Sequence, residues 1–94
     1  ERAKSFVSRY RKEYELVPDA NAALAYDSAN LIIGAVLKTG SIEPEKMRDE
    51  LVKTKNFPGV TGDITFSVSR GPIKSAVIVQ VDGKINRFVT TVSP

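Results

Sequence analysis

The sequence predicts one part of an α/β protein, with three helices followed by a strand and a β-hairpin. Two observations carry this reading. Apolar side chains recur at helical spacing up to about residue 52, and from Val60 onward the period drops to two. The middle helix is also apolar on almost every side, while the order α-α-α-β-β-β lacks the β-α-β alternation that builds a parallel sheet. Such a helix belongs between layers, so its central strands are expected to be encoded elsewhere.

The first helix is expected over residues 2–15, with Phe6, Val7, Tyr10 and Tyr14 on one face and Arg2, Lys4, Arg9, Arg11, Lys12 and Glu13 mostly elsewhere. Pro18 and Asp19 interrupt the chain, and Asp19 suits the N-cap of a second helix running to about Thr39 and stopping at Gly40. In that helix Ala22, Ala23, Leu24, Ala25, Ala29, Leu31, Ile32, Ile33, Ala35, Val36 and Leu37 leave little continuous polar face. A third helix is signalled by Pro44 at its first position, with Glu43 at the cap and Ile42 and Met47 spaced as a hydrophobic staple. Leu51 and Val52 continue its buried face, and Phe57-Pro58-Gly59 is expected to close the helical half.

Ile64, Phe66 and Val68 then alternate with polar residues, and Ser69-Arg70-Gly71-Pro72 reads as a turn. Residues 76–81 form a β-branched run, and Asp82-Gly83 separates it from Ile85, Phe88, Val89 and Val92, the signal of a two-residue hairpin of type I′. The expected division is a helical part over residues 1–57 and a β segment over 58–94.

Composition narrows the chemistry. The 94 residues contain no Cys and no His, which removes disulfides, thiolate metal sites, the commonest metal ligand and the commonest general base. Fourteen basic against 11 acidic side chains give a net charge of +3, a mild excess rather than the concentrated field of a nucleic-acid binder. The longest uninterrupted apolar run, residues 31–37, is far short of the ~18–20 residues that span a bilayer. Glu1 opens the chain without a basic-then-apolar leader, so any export signal is expected upstream.

Few residues invite a chemical reading. The stretch from Gly34 to Gly40 is followed by Ser41 rather than the lysine of a phosphate loop, and no G-x-G-x-x-G is present. Tyr26 has Asn30 four residues on, where a short-chain dehydrogenase needs a lysine to lower the phenol's pKa, so Tyr26 reads as a packed ring with its hydroxyl at an edge. Asp27 is the one local conflict, a carboxylate inside an apolar helix, and burial without a partner would be costly. It reads either as a hydrogen-bonding tie to a neighbouring loop or as a ligand contact. Glu43, Glu45, Asp49 and Glu50 suit the start of a helix dipole and imply no metal. Arg2, Lys4, Arg9, Arg11 and Lys12 beside Tyr10 and Tyr14 could grip a phosphate backbone, but Glu1, Glu13 and Glu15 dilute that field. The tyrosines share the face of Phe6, which marks them as core.

A series of short motifs runs in order along the whole chain: Phe6-Val7-x-Arg9-Tyr10-x-x-x-Tyr14, Pro18-Asp19, Ala25-Tyr26-Asp27-Ser28, Gly40-Ser41, Pro44-Glu45, Leu51, residues 57–66 and residues 77–84. Together they resemble the C-terminal region of the branched-chain amino acid (Leu/Ile/Val-type) substrate-binding proteins of ABC transporters, in the type I periplasmic binding protein family. The resemblance implies two α/β lobes closing over one solute, with the three helices in the first lobe and the final β segment passing toward the second. Five residues before Tyr26 the family often presents an aromatic side chain to the solute, and this chain has Asn21 there. An amide would rather meet a polar group than an aliphatic one, so Asn21 is either a ligand contact for a more polar solute or an ordinary first-turn residue. A second departure falls at Ser67-Val68-Ser69-Arg70-Gly71, where the family commonly has an Asp after the Phe and a short Gly-Asp turn.

By resemblance, then, the chain is part of a solute-binding component of an ABC importer, without catalytic residues, metal or cofactor. It would bind a branched-chain or related amino acid, a small amide or a carboxylate, and hand it to a membrane permease. Its implied location is periplasmic or extracellular, with lipid anchoring through a region upstream as one arrangement. The alternatives are a ligand-sensing domain of a signalling or regulatory protein and, further off, a basic nucleic-acid-binding module. The 94 residues alone are expected to expose a large apolar patch and to self-associate.

Overall fold

Helix α1 (Arg2–Tyr14) buries Phe6 and ends at Glu15, whose backbone takes φ 56° and donates its N–H to the Arg11 carbonyl at 2.9 Å. The computed structural model describes all of residues 1–94. Spacing of four stacks Phe6, Tyr10 and Tyr14 into an aromatic row with ring centroids 5.8 and 4.7 Å apart, and Tyr26 of the next helix meets Phe6 at 4.9 Å. The row runs out of the interior. Tyr14 is 60% exposed, contrary to its expected core placement, because only Ala22 and Tyr26 bound the groove from the other helix and Tyr26 packs at the Phe6 end of the row.

Helix α2 (Ala20–Thr39) starts where the Asp19 carboxylate accepts the Ala22 N–H at 2.8 Å and stops at Gly40, which takes φ 65°. By length and composition it would pass for a membrane span, but its midpoint holds a carboxylate engaged by a loop 33 residues further on. Asp27 and Ala35 are its only buried residues, whereas Leu24, Ile32, Ile33 and Leu37 are exposed, Leu37 by 78%. Helix α3 (Pro44–Leu51) packs on α2, with Glu50 set between Lys38 and Lys53 at 3.3 and 3.7 Å. Glu43 stands at its cap without a side-chain bond, and Ile42, the expected staple residue, is exposed.

The strands begin earlier than the sequence pattern suggests. Phe57-Pro58-Gly59, expected to end the helical half, is instead strand β1 (Phe57–Gly59), antiparallel to β2 (Gly62–Phe66). The physical reason is a two-residue turn at Val60 and Thr61 that folds the segment back, and an edge strand tolerates the missing N–H of Pro58. Strand β3 (Pro72–Ile73) pairs with the far end of β2 after a loop in which the Ser67 N–H donates to the Gly71 carbonyl at 2.9 Å. The resulting order is β1-β2-β3.

Strands β4 (Ala76–Asp82) and β5 (Ile85–Val92) form a separate two-stranded sheet with a bulge between Ile78 and Val79. Asp82 pairs with Ile85, so the turn residues are Gly83 and Lys84, and positive φ occurs at Gly83 alone. That is the pattern of a type II′ turn, which replaces the expected type I′ and needs glycine only at the first position.

The chain is open for its size. Its radius of gyration is 15.5 Å, against about 12 Å for a compact domain of this length. Its accessible surface is 7464 Å², against about 5,400 Å² for a folded monomer of this mass. The expected apolar patch is present, since both small sheets are antiparallel and neither covers the outer side of α2.

Candidate functional site

The most organised polar feature lies where α2 meets the β1–β2 turn. The Asp27 carboxylate is 3% exposed and accepts three hydrogen bonds: from the Val60 N–H at 2.8 Å, the Thr61 N–H at 2.9 Å and the Thr61 hydroxyl at 2.6 Å. The Lys74 ammonium donates in turn to Thr61 Oγ1. No buried side-chain polar atom is left without a partner. Burial alone would push the Asp27 carboxyl up, but the bonds from the Thr61 hydroxyl and the Thr61 and Val60 amides, with the Lys74 charge, outweigh it and hold the group below its ordinary value of 3.8.

Local sequence explains why this tie can form. Two glycines flank the turn, and Gly59 runs so close to α2 that a Cβ there would lie 2.6 Å from Asp27 Oδ2 and 2.8 Å from the Gly62 carbonyl oxygen. Only glycine lets the strand approach closely enough for the amides to reach the carboxylate. The conflict posed by a carboxylate in an apolar helix is thus resolved by the loop tie.

Beside the tie, a cavity of about 610 Å³ opens between α1, α2 and β1. Arg9, Tyr26, Asp27 and Asn30 are among its polar lining, and the Arg9 guanidinium donates to the Tyr26 hydroxyl at 3.0 Å and lies 5.6 Å from the ring centroid. Ile33, Leu37 and Phe57 supply apolar lining. Arg2 pairs with Asp63 of β2 at 2.6 Å, so two of the five basic residues of α1 are engaged within the chain. In the acidic group, Glu43 pairs with Lys46, Asp49 with Arg48 and Glu50 with Lys38 and Lys53.

Asn21 is exposed in the first turn of α2 and lines neither this cavity nor the groove along the aromatic row. It lies six positions before Asp27, which puts the two about 120° apart around the helix and roughly 9 Å apart along it. The structure therefore does not bring the two sequence-predicted site residues to one point. Gly59, Thr61 and Lys74 were not singled out as site residues from sequence. The paired glycines around Val60 and Thr61 carried a usable hairpin signal, whereas nothing local marked Lys74.

This architecture matches part of the periplasmic binding protein fold. A family model described as periplasmic binding protein matches residues 1–85, and the chain belongs to that family. Among solved structures, a leucine-binding protein of Thermotoga maritima is 35% identical and matches with a TM-score of 0.83 over 98% of this chain. A branched-chain amino acid transporter substrate-binding protein of Streptococcus pneumoniae, solved in complex with isoleucine, is 34% identical with a TM-score of 0.79 over 94% of this chain. A branched-chain amino acid ABC transporter periplasmic ligand-binding protein of Burkholderia xenovorans shares the fold at 23% identity, with a TM-score of 0.83 over the full chain. The chain spans about a quarter of the length of each, 26% of the first two and 27% of the third.

Proposed function

We propose that this chain is the C-terminal part of the solute-binding component of an ABC importer, which captures a branched-chain amino acid, a related amino acid or a small amide or carboxylate in a cleft between two lobes. The observation that carries the reading is 35% identity to a leucine-binding protein over 98% of the chain. Residues 1–57 belong to the first lobe, and residues 58–94 include the crossover and the C-terminal hairpin. The protein works outside the cytoplasmic membrane, in the periplasm or at the cell surface, and delivers its cargo to a membrane permease.

In this reading α2 presents Asn21 toward the solute from its first turn, while Asp27 acts from behind by holding the β1–β2 turn in place. Affinity comes from closure of the cleft, and no bond in the solute is made or broken. The exposed apolar residues of α2, Leu24, Ile32, Ile33 and Leu37, are the surface on which the parallel sheet of the first lobe packs.

Thermal unfolding of the full-length protein with single amino acids, small amides and carboxylates tests the proposal. A cognate solute at 100 times its Kd stabilises the folded state by about 2.7 kcal/mol. Stabilisation by none of them would overturn the reading. Replacing Asn21 with the aromatic residue often found at this position of the family, Asn21→Phe, is expected to shift preference from polar toward aliphatic side chains.

A further inference from the structure

Lys74 and Ser75 form the single covalent joint between two parts of the fold that barely touch. On one side stand the helices and the β1-β2-β3 sheet, and on the other the β4–β5 hairpin, whose residues are all exposed. Ser75 faces forward, with its hydroxyl 3.3 Å from that of Ser93, so it closes the open end of the hairpin on itself. Lys74 faces back. Lys74 is half-buried, and its ammonium donates to the Thr61 hydroxyl, which donates to Asp27 Oδ2 at 2.6 Å, with Asp27 fixed in the middle of α2.

We propose that Lys74 is a hinge strut. Through Thr61 and Asp27 it fixes the direction in which the hairpin leaves the helical body, and it thereby sets the resting angle between the lobes of the intact protein. The inference rests on the two-lobed solute-binding reading above. A free lysine keeps its ammonium in water and leaves the backbone torsions around it unconstrained. Here the charge is spent on a directional, charge-assisted relay with one end in a rigid helix. Hinges are commonly a few residues at the ends of elements, and this joint has two residues with one side chain bridging back. Lys74 acts through Thr61 and Asp27 rather than on the solute, so it is a positioning residue.

The test uses the full-length protein with spin labels at exposed Lys12 of α1 and exposed Lys84 of the hairpin turn, each replaced by cysteine, any cysteine outside these 94 residues being removed first. The ligand-free distance distribution is measured by pulsed electron resonance for the parent and for Lys74→Met, Lys74→Arg and Thr61→Val, each checked for cooperative thermal unfolding. Lys74→Met and Thr61→Val are expected to shift and widen the distribution, and Lys74→Arg, which retains charge and reach, to preserve it. A folded Lys74→Met protein with the parent distribution would overturn the strut, whatever Thr61→Val does. Adding the same single amino acids, small amides and carboxylates as probes separates the two claims. A parent protein that neither binds nor closes on any solute defeats the transport reading, while the ligand-free comparison still decides the strut.

Discussion

All five buried residues, Phe6, Asp27, Ala35, Gly59 and Ile64, lie upstream of the joint between β3 and β4, and none lies in the hairpin. The upstream region gains its specificity from a polar tie that is directional and fully satisfied, so α2 and the β1–β2 turn meet in one register. The hairpin has only its ladder and cross-strand pairs, and a lone two-stranded sheet is marginal in water. Val77, Val79, Val81 and Phe88 occupy one face, and Ile78, Ile85 and Val92 the other. An antiparallel sheet meant to face water on one side would alternate, and this one is shaped for cover on both. The difference teaches that position upstream of the joint is set by a buried carboxylate, whereas the β4–β5 hairpin has only its own ladder and turn to hold its register.

Breaking the tie should have the largest effect. In the full-length protein Asp27→Ala strands two backbone N–H groups and the Thr61 hydroxyl, and is expected to cost about 4 kcal/mol in denaturant unfolding. A loss below 1 kcal/mol would mean that the tie follows from the packing instead of setting it. Next comes Gly59→Ala, which leaves every hydrogen-bonding group in place but forces a methyl against Asp27 Oδ2 and the Gly62 carbonyl. It is expected to cost about 3 kcal/mol, because one of the two crowded atoms belongs to the backbone and cannot swing away.

Acid should weaken the same region more gently. The folded-state pKa of Asp27 lies below its ordinary value of 3.8, so its contribution is complete above that value and is lost as pH falls through the folded pKa. One such group gives a slope of at most about 1.4 kcal/mol per pH unit. Stability measured against pH should therefore fall more steeply below pH 4 in the parent than in Asp27→Asn, and parallel curves would sink the assignment.

The part of the fold written in local pattern was legible in the sequence. Asp19, Gly40 and Pro44 mark helix ends through backbone chemistry that needs no neighbours, and each stands where expected. Asp27 was legible as a conflict, since an apolar helix cannot ignore a carboxylate, but its partners were not. Val60, Thr61 and Lys74 are brought to it by the fold from 33, 34 and 47 positions away. Strand β1 was missed because Pro58 and Gly59 suit a turn as well as they suit an edge strand, and only pairing with β2 decides between them. Tyr14 was misplaced for a related reason: periodicity reports the face a residue shares, not how far the covering element extends.

The smallest effect should come from the hairpin turn, where the upstream logic of crowding does not apply. Nothing lies within 4 Å of a Cβ built on Gly83, so a side chain there meets no obstacle and pays only for its backbone angle of φ 63°. Gly83→Ala is expected to cost about 1 kcal/mol, and Gly83→Asn less, because asparagine accepts the left-handed region more readily. This ordering separates the two regions by mechanism, since the contact penalty at Gly59 would remain whatever the added residue's left-handed propensity. If Gly83→Asn proved as damaging as Gly83→Ala, the turn would be constrained by something that packs against it in the full-length protein. The hairpin would then owe its register to that cover rather than to its own turn.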